Sequence, residues 1–507
     1  MQHALTRSPP SESMAARLAE PRMVLGMLGL WLLLHAVLRL LTGPTLGMDD
    51  AEQALSAQAW SWGYRTEQPP LFTWLLLLLE PVLGVGYVPI TVLRYLFLGG
   101  CCLVYWQAAR LWLGDDERAA VAVLALPAMY TFGWYAQVDL THSTVLATAV
   151  AILLWLAARL ARQQRYLDYF LLGVTLGLGV LGKWNFALAG LALVLTGLIR
   201  PELRRVVLHP GTLLTAGVAA LIVLPNAWWL LGHKSMGDAG TAVLVRGDKS
   251  QLASLGDLLL AALAFAQPWL VLALILFLPA LRRCRRDQVA WPAVRVLGTY
   301  VAIALLLHAL LVLPFGGVNY SERWMIGPLL PLPILFAAFL APQHLPIGRW
   351  LVALAVLVAV TLGLRIAIPL AGGDVCLGKC RILYPYDAIA DGLRQAGFQD
   401  GTVVVGDLHL GGNLRVRMPH SRVVETSAPP GVFGPPIGHG QCLLAWISPE
   451  PGMPPPPELL EGARAKLGVD ATLPARRGAV TAPLLGAVER RLSIGYLLFE
   501  QPNGECR

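Results

Sequence analysis

Apolar runs of about twenty residues, the length a helix needs to cross a bilayer core, recur from residue 23 to residue 371 with short polar loops between them. They predict spans at residues 23–41, 89–112, 118–136, 140–160, 166–182, 184–199, 212–232, 257–281, 293–314, 324–341 and 350–371, about eleven in all. One apolar run is left out. Leu71–Leu79 lies between Pro69-Pro70 and Glu80-Pro81, leaving about nine clean residues where a crossing needs about twenty, so a helix in the interface or a re-entrant helix is predicted there. Beyond 371 the pattern changes: glycine, proline and charge rise, Tyr386–Gly397 has helical periodicity, and Thr402–Gly406, Arg422–Val424 and Leu443–Ile447 read as strands separated by proline-rich loops. The expected architecture is an all-α polytopic membrane protein with a polar tail at 1–22, a membrane domain at 23–371 and an extramembrane α/β domain at 372–507.

Composition agrees with a membrane protein. Hydrophobic residues make up 56% of the 507-residue chain and charged residues 14%, against about a quarter in soluble domains. The net charge of +8 falls mostly in short loops, where it reports orientation, and no basic patch with interleaved aromatics points to nucleic acid. With Leu71–Leu79 not crossing, the clusters Arg110–Arg118, Arg159–Arg165, Arg200–Arg205, Arg282–Arg286 and His344–Arg349 all fall on the cytoplasmic side. Residues 42–88, Asp139, Lys183, 233–256, 316–323 and everything after Leu370 then share the outer face of the plasma (inner) membrane. The seven cysteines show no zinc-like clustering; Cys376 and Cys380 could pair or remain free thiols.

Charge is scarce, so the first outer loop, 42–88, stands out for Asp49, Asp50, Glu52 and Glu67. On a helix Asp49, Glu52 and Gln53 share one face, while Asp50 points elsewhere. Other outer-face groups are Arg94, Asp139, His142, Lys183, Arg323 and, in one long loop, His233, Lys234, Arg246, Asp248 and Lys249. Carboxylates can deprotonate an acceptor and cations can stabilise a departing phosphate. Plainer roles compete: Asp139 as a helix cap, Arg94 and Lys183 as snorkelling anchors, Arg323 as a topology anchor, and Trp60, Trp62, Trp228 and Trp229 as an interfacial belt rather than sugar platforms.

An acidic pair, then Glu67-Gln68-Pro69-Pro70-Leu71, then an arginine opening the next span resembles the polytopic glycosyltransferases of the protein-mannosyltransferase and aminoarabinose-transferase type, with the GT-C fold. Asp139, the Gly177–Lys183 turn and Arg323–Pro331 extend the likeness over residues 23–340. The resemblance implies a polyprenyl-phosphate sugar as donor, a lipid, glycan or protein as acceptor, and a catalytic first outer loop. It assigns Asp49 and Asp139 to catalysis; with Gln68 where relatives often carry lysine, donor phosphate is assigned to Arg94, Lys183 and Arg323. Asp50, Glu52, Glu67 and His142 are left to position the acceptor. No cofactor is required, although some relatives use a divalent cation, for which Glu67 and His233 are candidate ligands.

A lipid or solute transporter is the rival class. It predicts charges deep within several spans and repeat symmetry, and neither is evident. A binding module on an anchor would not need so many spans.

Overall fold

The computed structural model describes residues 20–43, 45–233, 249–315, 317–371, 381–429, 431–469, 473–500 and 502–506. The tail before Glu20, Lys234, Arg246 and Asp248 in the long outer loop, and the Cys376/Cys380 pair lie outside these residues.

Among the described residues six helices are long and apolar enough to cross a membrane: Pro21–Leu41, Tyr87–Leu113, His142–Arg162, Gly211–Gly232, Trp291–Leu310 and Ile347–Ala371. Phe186–Ile199 and Pro201–Val207 form a further candidate, bent by 113° at Arg200 and Pro201. Three expected spans are instead broken, and proline accounts for the breaks because it lacks a backbone donor. Segment 118–136 divides into Asp116–Val123, a tight turn Leu126–Ala128 containing Pro127, and a π-turn Thr131–Tyr135. Segment 257–281 divides at the cis Gln267-Pro268 bond into Gln251–Ala266 and Trp269–Arg283. Segment 324–341 becomes short turns around Pro328, Pro331 and Pro333. Leu71–Leu83 is a helix of 13 residues with Pro81 inside it, roughly 20 Å long and so short of the bilayer core.

Lipid-facing leucines supply no drive for helices to associate, so the bundle depends on close packing and buried polar bonds. Tyr87–Leu113 runs along His142–Arg162, where Thr148 Oγ donates to Phe97 O (2.7 Å) and Trp112 Nε1 donates to Leu154 O (3.0 Å).

Past the last long helix stands a five-stranded sheet of order β2-β1-β3-β5-β4, with β1 Gly401–Val405, β2 Arg422–Glu425, β3 Gln441–Ile447, β4 Arg476–Leu484 and β5 Ala487–Phe499. β1 is parallel to β2 and β3, pairing Val403 with Val423 and Leu443; β5 is antiparallel to β3 and β4. Helices Tyr386–Gln395, Leu408–Arg417 and Pro457–Leu467 pack around it, and Cys442 on β3 is disulfide-bonded to Cys506. This domain rests on the loop at residues 42–88. Gln58 closes the open edge of β2, its amide donating to Val423 O (2.7 Å) and accepting from Val423 N–H (2.8 Å).

Candidate active site

The loop after Pro21–Leu41 forms a nine-residue helix, Met48–Ser56, whose apolar face packs on Phe72, Leu76 and Leu93. Its N-cap, Gly47, has no side chain to satisfy the first free N–H groups. Asp139 supplies the cap from another loop: Oδ2 accepts from Met48 N–H and Oδ1 from Asp49 N–H, each at 3.1 Å. Gly47 is required for this approach, because a Cβ there would lie 2.8 Å from the Asp139 carboxyl carbon. The following residue, Leu140, takes a left-handed backbone (φ 72°) to turn the chain into the next span. Burial, with Asp49 and Asp50 nearby, pushes the Asp139 carboxyl well above its ordinary range, against the pull of Arg94 and the Met48 N–H.

Asp49 is partly buried, with 14% of its side chain exposed, and lies 3.6 Å from Arg323 Nη1. Arg323 belongs to the tight turn Glu322–Met325 and is itself 35% exposed. Lys183, in the turn after Tyr166–Gly182, donates to Ser143 Oγ at 2.5 Å. Burial, reinforced by Arg323, lowers Lys183 to about 7, while Asp49, Glu322 and Glu52 oppose the shift. Two cations thus face each other beside one carboxylate, an arrangement that an anion would relax.

One turn along, Gln53 ties the same helix to the bundle. Its carbonyl accepts from Thr73 Oγ1 (2.7 Å), and its amide donates to His142 Nε2 (2.9 Å). That leaves His142 Nδ1 to donate to Gly182 O (3.1 Å), next to Lys183. His142 is fully buried, so the expected substrate contact gives way to a bridge between the helix and the Lys183 turn.

Two more expected roles change for a steric reason. Asp50 is turned about 100° from Asp49 and is buried, where it accepts from Arg94 and lies 3.8 Å from Arg39. Arg94, expected at the donor phosphate, is 0% exposed and anchors the loop to Tyr87–Leu113. A buried charge needs such a partner.

Glu52 lies 3.9 Å from Arg65, which also reaches Glu67 (4.0 Å) and Glu425 of the extramembrane domain (3.2 Å). Burial lifts Glu52 to about 7 despite Arg65, and Asp49 and Glu67 add to the rise. His233, the other candidate metal ligand, stacks on Trp229 at 4.1 Å and bonds its carbonyl oxygen through Nδ1 (2.8 Å). Among the described residues no three His, Cys, Asp or Glu side chains gather as a metal site. Trp60 stacks on Trp74 at 5.2 Å with Trp62 edge-on, and Trp60 and Trp62 remain about half exposed.

The chain matches the family model for dolichyl-phosphate-mannose-protein mannosyltransferase over residues 67–229. It is 28% identical to the lipopolysaccharide core galacturonosyltransferase RgtB of Rhizobium johnstonii over 94% of this chain and 98% of that one, and 29% identical to RgtA of the same organism over 94% of each. ArnT from Cupriavidus metallidurans bound to undecaprenyl phosphate shares the fold, with a TM-score of 0.57 at 15% identity over 94% of this chain and 98% of that one. The apo form of the same ArnT superposes with a TM-score of 0.53. The chain is a membrane glycosyltransferase of the GT-C fold.

These relatives are transferases, which removes the transporter reading. In this glycosyltransferase the structure brings Asp49, Asp139, Lys183 and Arg323 to one site and moves Asp50 and Arg94 behind it. Sequence reading passed over Arg65, Ser143 and Gly47. Ser143 had one available signal, its position directly after His142 at the head of a span. Arg65 had a local one, the carboxylates Glu52 and Glu67 in the same loop, whereas Gly47 had none, since Asp139 lies far away along the chain.

Proposed function

We propose that this glycosyltransferase moves a uronic acid sugar from a polyprenyl-phosphate carrier to a lipid-linked glycan at the outer face of the plasma (inner) membrane, with inversion at the anomeric carbon. The names of the two full-length relatives support the sugar class and acceptor, and the undecaprenyl phosphate bound to the structural neighbour supports the carrier. Asp49 takes the proton from the acceptor hydroxyl as its oxygen attacks the anomeric carbon. The bond to the phosphate oxygen breaks on the opposite side, and Lys183 and Arg323 receive the departing lipid phosphate. Asp139 holds the helix and does not touch the reacting atoms.

The observation that carries this reading is the partly accessible Asp49 carboxylate beside Arg323, on a helix whose N-terminus is pinned from a second loop. Purified protein would be given radiolabelled polyprenyl-phosphate galacturonate, or the aminoarabinose counterpart, together with a lipid glycan extract. Transfer from the uronate donor by wild type, lost in Asp49→Asn, is the expected outcome. Equal transfer in both proteins removes Asp49 from the chemistry, and preference for the aminoarabinose donor removes the sugar assignment.

A further inference from the structure

The Met48–Ser56 helix is gripped a second time, from the extramembrane domain. Leu46 precedes it in a stretch without regular structure, fully buried, so its backbone groups need partners from elsewhere. Both come from one helix, Leu408–Arg417. Leu46 N–H donates to Asn413 Oδ1 (2.9 Å), and His409 Nε2 donates to Leu46 O (2.8 Å). His409 and Asn413 are four residues apart and so share a helix face.

Each clamp residue is itself held. Tyr386 hydroxyl meets His409 Nδ1 at 3.0 Å, which fixes the ring in the tautomer that donates from Nε2. Burial lowers His409 to about 4, so the ring is neutral through the physiological range. Asn413 Nδ2 donates to His409 O (2.9 Å), and Arg417 Nη1 lies 3.3 Å from Asn413 Oδ1. Between them Gly412 lets the two helices touch: a Cβ at this position would come 2.0 Å from Ala51 O.

We propose that His409 and Asn413 are positioning residues for sugar transfer: they fix Leu46 and, through it, the placement of Asp49 against Lys183 and Arg323. The extramembrane domain thereby supports the helix that carries Asp49. This role presupposes Asp49 as the base proposed above.

Full-length protein in lipid nanodiscs would carry Asn413→Ala, Asn413→Asp, His409→Phe or His409→Gln. Asp keeps the acceptor for Leu46 N–H beside Arg417, and Gln keeps a donor for Leu46 O. Displacing a reacting group by about 1 Å costs up to ~100-fold, so Ala and Phe should lower kcat by ~10- to 100-fold with donor KM within about twofold. Thermal midpoints of the Ala and Phe variants should fall by a few degrees at most, because each leaves one buried Leu46 backbone group unpaired, and kcat is read well below every midpoint; Asp and Gln should recover most of the rate, and amide exchange over residues 46–53 should accelerate only in the Ala and Phe variants. Unchanged kcat, a loss that follows the thermal midpoint, or Asp and Gln as impaired as Ala and Phe would overturn the assignment. If wild type transfers no sugar from the polyprenyl donor, the functional reading fails, and amide exchange alone then decides the clamp: unaltered protection at 46–53 refutes it.

Discussion

Asp139→Asn is the substitution that best separates holding the catalytic helix from doing its chemistry. The carboxylate makes two bonds of 3.1 Å to the first N–H groups of Met48–Ser56. An asparagine keeps one acceptor and loses the second bond and the negative charge. A lost N-cap costs roughly 0.5–2 kcal/mol, and loss of an anion at a helix N-terminus adds roughly 0.3–1 kcal/mol. Together they amount to about 2 kcal/mol, or roughly a thirtyfold fall in the equilibrium constant for the correctly placed helix, since 1.36 kcal/mol is tenfold, and this sets the upper limit of the rate loss. The expected kcat for Asp139→Asn is therefore at least a few per cent of wild type, whereas Asp49→Asn loses ~10²- to 10⁴-fold. Gly47→Ala should reproduce the Asp139→Asn loss, because the new Cβ collides with the same carboxylate. The double variant should be little worse than either single one, as both break one contact. Initial rates of label transfer at saturating donor measure all four. If Asp139→Asn fell as far as Asp49→Asn while Gly47→Ala kept the wild-type rate, Asp139 would belong to the reacting groups and the cap explanation would be refuted.

The lowered Lys183 means that its charge is lost as pH rises through about 7 in the empty site. Donor KM should therefore increase above pH 7, and Lys183→Arg should flatten that increase in a pH series of initial rates. Glu52 moves the opposite way: its folded value, raised from 4.5 to about 7, means the folded state holds the proton more tightly, so its contribution to stability is largest below 4.5 and declines until pH 7. Unfolding measured against pH should show Glu52→Gln gaining on wild type across that window by at most about 3 kcal/mol. Arg94→Met should cost up to ~3–5 kcal/mol by leaving the buried Asp50 with Arg39 alone, and Asp50→Asn combined with it should recover part of the loss in the same assay. Cys506→Ser opens a link between residues 64 apart, and loop entropy predicts about 4 kcal/mol of lost stability in the extramembrane domain, visible as earlier unfolding than wild type under oxidising conditions, a difference that reductant removes.

Much of this layout was legible from hydropathy because a bilayer imposes one length on every crossing. Leu71–Leu83 was recognisable as too short, since prolines bracket it, and β1, β2 and β3 announced themselves as short apolar runs. The pair β4 and β5 did not: Arg476, Arg477, Glu489, Arg490 and Arg491 interrupt its apolar alternation at an exposed sheet margin. Leu408–Arg417 was missed because Gly411-Gly412 reads as a break, whereas the glycines serve the close contact with Ala51. At the site, helical phase correctly separated Asp49 from Asp50. It could not show that Arg94 would be taken up by Asp50, nor that Asp139 caps a helix about ninety positions earlier, because neither pairing leaves a local pattern.

The grip on Leu46 also orders the biogenesis of the molecule. The first outer loop is inserted early in synthesis, but the helix that holds it arrives more than three hundred and sixty residues later. A partly translated chain therefore carries a loop whose helix Asp139, Arg94 and His142 already hold, but whose Leu46 backbone lacks its partners until the final domain has folded down onto it. Fragments ending before residue 408 should accumulate in the bilayer as inert precursors.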